Sequence, residues 1–458
     1  MTEATRQSVL FPSLLGKPVR IAFDEPSTSS DGGAMLLKAV DERLHLTKEL
    51  AAALHDERQG GKVVHTLADL VRHRVFGLAL GYADTNDVAR IGGDAMFRLL
   101  LDRDPISGLD LASQPTLSRF ENGATSKDLY RMGMAVAKTV IAYHKRRLGR
   151  RRVKRVTIDM DPTDTPTYGA QQLTFFNTHY DNYCYLPLLG FVTFNDEVEQ
   201  YAFAAVLRSG RAPAKQGAIG VLRRTIVRLR AAFPKAKIRV RLDGGFACPA
   251  LLDFLEAQRV EYLIGLGKNQ VLKRRVGRPM GTARRLSRET GQSAAVFGET
   301  RYAARSWRKN LRRVIYKAEV TRIDGREPRD NPRFVVTNLR HTPEAVYGIY
   351  RMRGESENRI KELLLGLSLD RMSCTSFRAN QMRILLTLAA YVLLQTLRSR
   401  LDLKSIARKQ VETLRLMLLK IGAKVHVSAR RFVISLAQNH PWRDEWMTAA
   451  RAWGAIRT

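Results

Sequence analysis

A series of strand-like and helix-like runs between residues 156 and 266 constrains the fold of this chain more than any other feature. Five runs are rich in β-branched and apolar residues, as buried strands are, and two have the spacing of amphipathic helices. In chain order they are strands at 156–161, 184–193 and 201–207, a helix at 214–233, a strand at 237–243 that ends in an acid before two glycines, a helix at 249–258 and a strand at 262–266. Three consecutive strands predict an antiparallel meander at the start of the sheet.

This order of elements is that of the ribonuclease H-like fold. We therefore predict an α/β domain of that class, with a mixed sheet flanked by helices. Changes in periodicity and composition divide the whole chain into six parts. They are an irregular segment at 1–33, an all-α domain at 34–149, the first part of the ribonuclease H-like domain at 150–267, a β-rich insertion at 268–347, the second part of that domain at 348–400, and a helix and hairpin segment at 401–458.

The net charge indicates the class of partner. Seventy-seven Lys and Arg residues face 44 Asp and Glu residues, which gives the chain a net charge of +33. Such a charge repels itself in a compact fold and favours a polyanionic partner, most commonly nucleic acid. An anionic membrane surface is the competing explanation. It is the weaker one, because the basic residues are spread along the chain and do not form one amphipathic anchor.

The cysteines and the apolar segments predict a soluble, intracellular protein. Three distant cysteines suit neither a disulfide framework nor a zinc site, so we expect a reducing compartment. The first residues lack the apolar core of a signal peptide. The most apolar segment, 384–394, has only 11 residues. A membrane span needs roughly 20, so this segment is predicted to be a buried helix.

Three acidic residues from distant segments are the candidate metal ligands. Asp161 ends a predicted strand, Asp243 ends another and precedes two glycines, and Glu357 lies on a predicted helix. Carboxylates that converge from separate segments bind Mg²⁺ or Mn²⁺ in phosphoryl-transfer sites. Asp159 shares its strand face with Asp161 and is the alternative first ligand. Each acid alone could be an ordinary strand-end residue.

The Glu357 helix carries a stripe of polar side chains. At about 100° per residue, Tyr350, Arg353, Glu357, Lys361 and Leu364 lie on one face. The simplest interpretation is an exposed helix surface with ion pairs between neighbouring turns. The two upstream aspartates favour a functional site instead, because the three acids together could hold a divalent metal.

Two further segments are candidate DNA contacts. The first begins at Ser113 and precedes a short helix that carries Arg119, where free N–H groups could bind a phosphate; an ordinary capped helix is equally compatible. The second holds Trp307 beside Arg305, and this aromatic ring could stack on an unpaired base. A half-buried strand tryptophan with basic neighbours is the commoner arrangement.

Several motifs together resemble the DDE transposases of bacterial insertion sequences. They are Asp161-Pro162-Thr163, Asp243-Gly244-Gly245, and Tyr350, Arg353 and Glu357 in the spacing Tyr-x2-Arg-x3-Glu. The last is similar to the branch with a Tyr-x2-Arg-x3-Glu-x6-Lys signature. One subgroup of that branch, transposase DDE domain group 1, is further resembled at 113–122, at Gly169-Ala170-Gln171-Gln172 and at 357–363. The signature lysine position is Leu364 here, while Lys361 lies one turn earlier on the same stripe.

The resemblance implies a function and a set of roles. Asp161, Asp243 and Glu357 would hold Mg²⁺ or Mn²⁺, and Tyr350 and Arg353 would hold a phosphate near the transferred strand. The chain would bind the terminal inverted repeats of its own element, cleave the ends and join them to target DNA. Assembly on paired DNA ends and a cytoplasmic, nucleoid-associated location are also implied. Two alternatives are a metal-dependent nuclease of the same fold without strand transfer and a catalytically inactive DNA-binding relic.

Overall fold

The computed structural model describes residues 9–149, 151–307, 310–401 and 409–456. The chain forms two compact units. The smaller contains residues 1–43, 56–120 and 396–458, and the larger contains residues 44–55 and 121–395. Both units therefore combine segments that are far apart in the sequence.

The elements are numbered here in chain order. The strands are β1 Val9–Leu14, β2 Lys17–Ile21, β3 Thr28–Ser29, β4 Arg155–Pro162, β5 Thr165–Pro166, β6 Phe175–Asn177, β7 Asn182–Tyr185, β8 Leu188–Phe194, β9 Tyr201–Val206, β10 Lys237–Leu242, β11 Glu261–Leu266, β12 Ala294–Tyr302, β13 Arg312–Ile323, β14 Arg326–Asp330, β15 Arg333–Thr337, β16 Ala423–Ser428 and β17 Arg431–Leu436. The α-helices are α1 Met35–Leu44, α2 Leu46–Ala52, α3 Leu67–Ala79, α4 Thr85–Arg90, α5 Ala95–Leu100, α6 Gln114–Gly123, α7 Ser126–Leu148, α8 Ala218–Ala232, α9 Pro249–Ala257, α10 Gln270–Arg275, α11 Gly277–Thr290, α12 Pro343–Arg351, α13 Glu355–Lys361, α14 Phe377–Arg398, α15 Val411–Leu418 and α16 Arg443–Ala452.

A mixed sheet of nine strands forms the centre of the larger unit. Its order is β12-β13-β15-β11-β10-β4-β8-β9, and β14 pairs with β13 outside this path. Strand β4 is antiparallel to β8, and β8 is antiparallel to β9, so the predicted meander is confirmed. Strand β10 is parallel to β4, and β11 is parallel to β10. The carboxyl ends of β4 and β10 therefore lie at the same edge of the sheet.

One predicted strand is wrong. The run 184–193 was expected to be continuous, but it is split into β7 and β8, which belong to different sheets. Pro187 lies at the break. Proline has no N–H to donate to a ladder, so it interrupts pairing inside a sheet. Strand β7 instead pairs with β5 and β6 in a small three-stranded sheet that follows β4.

The strands of the region 268–347 extend the central sheet: β15 pairs with β11, and β13 and β12 continue the sheet outward. Two details of this region differ from the sequence predictions. The basic run 273–279, expected to be a loop, lies in helices α10 and α11. Trp307, expected in a strand, lies in the 3₁₀ turn Arg305–Trp307.

The core of the larger unit lies on either side of the central strands. Every residue of β8 is buried, and so is every residue of the apolar segment 384–394 within α14. Buried sheet strands and a helix that is apolar on all sides are what a covered sheet requires. The prediction of a buried helix at 384–394 is confirmed. Among the described residues, no helix has the length and apolarity that crossing a membrane would need.

The smaller unit combines N-terminal helices with C-terminal strands. Val425 of β16 packs with Ala95 and Met96 of α5 in a buried cluster. The predicted hairpin at 424–436 is confirmed as β16 and β17, and β3 extends it to three strands. The segment 1–33 was expected to be irregular, but β1 and β2 within it form an antiparallel hairpin. The helices between residues 34 and 149 are shared, because α2 and α7 belong to the larger unit.

Candidate active site

The pairing of β4 with β10 determines the positions of two of the three candidate acids. The parallel register sets Asp159 beside Arg241. Carried two residues forward, the same register sets Asp161 beside Asp243, which directly follows β10 in an extended conformation. Neighbouring strands lie about 4.8 Å apart, so the two carboxylates leave the same edge side by side. Glu357 comes to this edge on α13, which packs on β4.

Asp159 is neutralised inside the sheet. Its side chain is fully buried, and Arg241 donates to both carboxylate oxygens, at 2.9 Å from Nε to Oδ1 and 2.8 Å from Nη2 to Oδ2. Gln200 Nε2 donates to Oδ2 at 3.1 Å. Such a bidentate pair satisfies a buried carboxylate. Asp159 is therefore a structural acid that ties β4 to β10 and has no oxygen facing outward.

Asp161 lies within reach of the other two acids. Burial raises the pKa of Asp161 to about 6, the Arg353 guanidinium works against this rise, and the charges of Asp243 and Glu357 add to it. Repulsion between carboxylates falls off with distance, so Asp243 and Glu357 lie close enough to Asp161 to affect its pKa. Asp161 is the buried member, and the Glu357 side chain is 59% exposed.

Arg353 is the cation of this site. Its Nη1 donates to Asp161 Oδ2 at 2.6 Å, and its Nη2 lies 3.6 Å from Glu357 Oε1. Ser356 Oγ also donates to Asp161 Oδ2, at 3.4 Å. One guanidinium thus joins a strand-end carboxylate to a helix carboxylate. The bond between Arg353 and Asp161 was not predicted from the sequence, where Arg353 was assigned to a phosphate.

The donor set suits a hard divalent metal. Asp161, Asp243 and Glu357 offer oxygen ligands from three separate elements, which is the chemistry that Mg²⁺ and Mn²⁺ prefer. Within the described ranges, however, no group of three His, Cys, Asp or Glu side chains is already gathered closely enough to hold a metal ion. Arg353 provides the positive charge among these carboxylates.

Glycines allow Tyr350 to approach the strand ends. A Cβ atom on Gly265 of β11 would lie 2.6 Å from the Tyr350 hydroxyl oxygen and 2.8 Å from the Gly244 nitrogen. Only glycine fits so close an approach. Asp243 accepts a hydrogen bond from Gly245 N at 2.9 Å, which orients its carboxylate. Gly265 was missed by the sequence reasoning, although a glycine inside a strand run signals such a contact.

The polar stripe does not lie on a uniform α-helix. A 3₁₀ turn, Met352–Gly354, separates α12 from α13, and a π-helical turn, Glu362–Gly366, follows α13. π-helical turns are often found at functional sites. Tyr350, Arg353 and Glu357 still converge, whereas Lys361 is exposed and Leu364 is half-buried.

A buried polar network holds the Glu357 helix against the sheet. Arg359 pairs with Glu199 at 3.0 Å and with Glu362 at 3.2 Å. Gln395 of α14 donates to Glu199 Oε1 at 3.0 Å and to the Gln200 carbonyl at 2.7 Å. Because Gln200 also bonds Asp159, the network joins the helix carrying Glu357 to the strand carrying Asp161.

The sequence reasoning missed this network. Tyr391 donates to Glu362, and Arg241 Nη1 donates to the Ile349 carbonyl at 3.0 Å, which fixes α12. The available signal was the presence of Tyr391 and Gln395 in the leucine-rich part of α14. Polar groups in such positions are hydrogen-bonded in folded proteins.

The remaining predicted DNA contacts lie on elements other than the strand ends and the Glu357 helix. Trp307 is only 8% exposed and packs edge-on against Tyr302, with Arg312 over its ring. Stacking on a base would need this ring to move. Arg305 in the same turn is exposed. Arg119 is exposed on α6 in the smaller unit, where it donates to Thr116 at 3.3 Å.

Replacing Asp161 with asparagine should stabilise the fold at neutral pH. The pKa of this carboxyl rises from 3.8 to about 6, so between these values the folded chain binds a proton that the unfolded chain releases. Stability is therefore lost as the pH rises through this window. We expect Asp161→Asn to gain about 1–3 kcal/mol at pH 7.5 and clearly less at pH 4.5, in urea unfolding with a chelator present. A variant no more stable than wild type at pH 7.5 would contradict the burial of an ionised Asp161.

Comparison with known proteins identifies the family of this chain. The family model described as transposase DDE domain group 1 matches residues 11–455, nearly the whole chain. No curated protein matches the chain. A family match of this extent covers both strand-end aspartates and the Glu357 helix. The chain therefore belongs to the transposase DDE domain group 1 family.

Proposed function

We propose that this chain is an active DNA transposase that cleaves the ends of its own element and joins them to target DNA. The observation that supports this most is that Arg353 bonds Asp161 at 2.6 Å and lies 3.6 Å from Glu357, at the sheet edge where Asp243 follows β10. Membership in the transposase family supports DNA as the substrate. The net charge of +33 is suited to a phosphate backbone.

The proposed fold of the catalytic region is ribonuclease H-like. The strand order β9-β8-β4-β10-β11 supports this, because it places the first strand in chain order at the centre, two antiparallel strands on one side and two parallel strands on the other. Helices α8 and α9 connect the parallel strands. In sheets of this kind, ligands bind at the carboxyl ends of the central strands, which is where Asp161 and Asp243 lie.

Asp161, Asp243 and Glu357 are the proposed ligands of Mg²⁺ or Mn²⁺. Such an ion would activate the attacking oxygen and stabilise the leaving oxygen of the phosphodiester. Asp161 is favoured over Asp159 as the first ligand, since both oxygens of Asp159 are bonded to Arg241. A ligand role for Asp161 requires its carboxylate to be shared with, or released by, Arg353.

Arg353 and Tyr350 are proposed to hold a phosphate beside the acids. A guanidinium that is already oriented can form two parallel bonds to a phosphate, and the Tyr350 hydroxyl can donate a further one. Lys361 would then contribute from the exposed end of α13, in place of the signature lysine that this chain lacks at Leu364. Arg305, Trp307 and Arg119 are proposed as more distant DNA contacts.

We propose a role in transposition for each part of the chain. The helices within 34–149 would bind the terminal inverted repeats, the segments 150–267 and 348–400 would carry the chemistry, and the strands within 268–347 would guide DNA beside it. We propose that two or more copies assemble on paired ends, because both ends of an element must be cut together.

The proposal is tested by incubating the full chain with the DNA that flanks its own gene, together with Mg²⁺ or Mn²⁺ and a supercoiled target plasmid. We expect nicks at the element ends and covalently joined end–target products. Nicks without joined products would indicate a nuclease instead. Metal-independent binding without any nicking, even with Mn²⁺, would indicate an inactive DNA-binding relic.

A further inference from the structure

The small sheet that follows Asp161 presents an aromatic surface to solvent. Strand β5 begins four residues after Asp161 and pairs with β7, which pairs with β6. Asn182 Nδ2 donates to Asp164 Oδ2 at 3.3 Å, and Thr163 N donates to the Pro187 carbonyl at 3.2 Å. These bonds fix the small sheet to the end of β4, directly beside the candidate ligands.

One face of this sheet carries a pair of exposed rings. Phe176 and Tyr183 are partners across β6 and β7, and their ring centroids lie 5.5 Å apart at an interplanar angle of 66°. Phe176 is 42% exposed and Tyr183 is 60% exposed, while Tyr168 on the connecting loop is 91% exposed. Large aromatic side chains normally bury most of their surface. We call Phe176 and Tyr183 the aromatic face.

On the opposite face of the same strands, the side chains are packed against other parts of the chain. Phe175 lies under the Arg211 guanidinium at 4.6 Å, and its cross-strand partner Cys184 is buried. The alternation along β6 and β7 therefore assigns Phe175 and Cys184 to the interior and the aromatic face to solvent. Exposure of Phe176 and Tyr183 is a property of the strand register and not of fraying.

The small sheet that carries the aromatic face is bonded to the segment directly after Asp161, at the end of β4. The turn joining β6 to β7 carries Tyr180, which is half-buried. Burial raises the pKa of Tyr180, and the charges of Asp164, Asp161 and Asp243 raise it further. Exposed rings beside a proposed DNA-processing site suit unpaired bases, because every base has a face on which an aromatic ring can stack. The net charge of +33 favours nucleic acid over an apolar protein partner.

We propose that the aromatic face stacks on unpaired bases of the DNA strand being processed beside Asp161. This inference depends on the proposed function, because it assumes that DNA enters the acidic site. Base faces are hidden in a duplex, so a stacking surface recognises a single-stranded extension and every base can use it. Two rings held by strand pairing are already fixed in position, which lowers the entropy lost on binding.

The test uses the full chain, a chelator in place of metal, and two DNA probes. One is a blunt duplex from the gene's flank, and the other is the same duplex with a short single-stranded extension that contains 2-aminopurine. Wild type should bind the extended probe more tightly and quench its fluorescence. The double variant Phe176→Ala with Tyr183→Ala should lose about tenfold or more of affinity for the extension, with blunt-duplex affinity unchanged.

Two further variants make the test specific. Tyr183→Trp should retain quenching, because an indole also stacks on bases. Phe432→Ala is the control: Phe432 is a comparably exposed ring (54%), but it lies on the hairpin of the smaller unit and not on the aromatic face, so this variant should bind as wild type does. Equal affinity of wild type and the double variant for the extended probe would overturn the proposal. A change in oligomeric state as the only effect would also overturn it and assign the face to a second copy. This experiment measures DNA binding without metal, whereas the proposed function is tested by nicking and joining with metal. A negative result for stacking therefore differs from a negative result for the transposase activity.

Discussion

Asp243→Asn should reduce metal-dependent nicking of element-end DNA by about a thousandfold or more and leave DNA binding within about twofold of wild type. Asparagine has the size of aspartate, and its oxygen can still accept from Gly245 N, as Asp243 does at 2.9 Å. The local backbone therefore has no reason to change. What is lost is one negative charge and one metal-binding carboxylate at the edge shared with Asp161. Nicking is measured on supercoiled and linear element-end DNA with Mg²⁺ and with Mn²⁺.

A matched control separates the site from the general charge of the protein. Asp196→Asn makes the same chemical change on the turn between β8 and β9, where the side chain is 94% exposed and pairs only loosely with Arg155, at 3.5 Å. This variant should nick at the wild-type rate. Robust nicking by Asp243→Asn, or equal losses in both variants, would contradict the assignment of Asp243.

Arg241→Met should cost about 3–5 kcal/mol of unfolding free energy, the largest stability effect expected from a single change in this chain. Asp159 is fully buried, and Arg241 supplies two of its hydrogen bonds. Removing the guanidinium leaves a carboxylate with only Gln200 as a partner and frees the Ile349 carbonyl. The loss is measured by urea unfolding of the full chain at pH 7.5.

Two comparisons show whether the cost comes from the buried charge. The double variant Arg241→Met with Asp159→Leu should recover about half of the loss or more, since apolar pairs of similar volume replace buried ion pairs at little cost. Arg284→Met removes a surface partner of Asp330 and should cost less than about 1 kcal/mol. Equal costs for Arg241→Met and Arg284→Met, or no recovery in the double variant, would contradict a structural role of this pair.

The parts of the fold that were predicted correctly depend on local pattern. Strands β4, β9, β10 and β11 and helices α8 and α9 have periodicities that a short window of sequence contains, and the two aspartates lie at the ends of their strands. The split between β7 and β8 could also have been predicted from the sequence, since Pro187 lies between the two strands. The continuation of the sheet through β15 could not be predicted from local sequence. Leu263 pairs with Thr337, far along the chain, and the residues around each give no sign of that pairing.

The candidate site was predictable as a set of residue types but not as an arrangement. The spacing of Tyr350, Arg353 and Glu357 indicated one helix face, yet the 3₁₀ and π turns that shape this helix come from its packing. The different environments of Asp159 and Asp161 depend on Arg241, which lies in β10, and on Gln200, which directly precedes β9. Tertiary hydrogen bonds of this kind leave no periodic trace in a single sequence.

The most direct test of the central claim is to find where a divalent ion binds. Fe²⁺ with ascorbate in place of Mg²⁺ generates hydroxyl radicals that cut the protein backbone beside the bound ion, and the fragments are identified by mass spectrometry. We expect cuts near Asp161, Asp243 and Glu357 together, suppressed by excess Mg²⁺ and greatly reduced in Asp243→Asn. Cuts near only one of these three acids, or none that Mg²⁺ suppresses, would contradict a shared metal site.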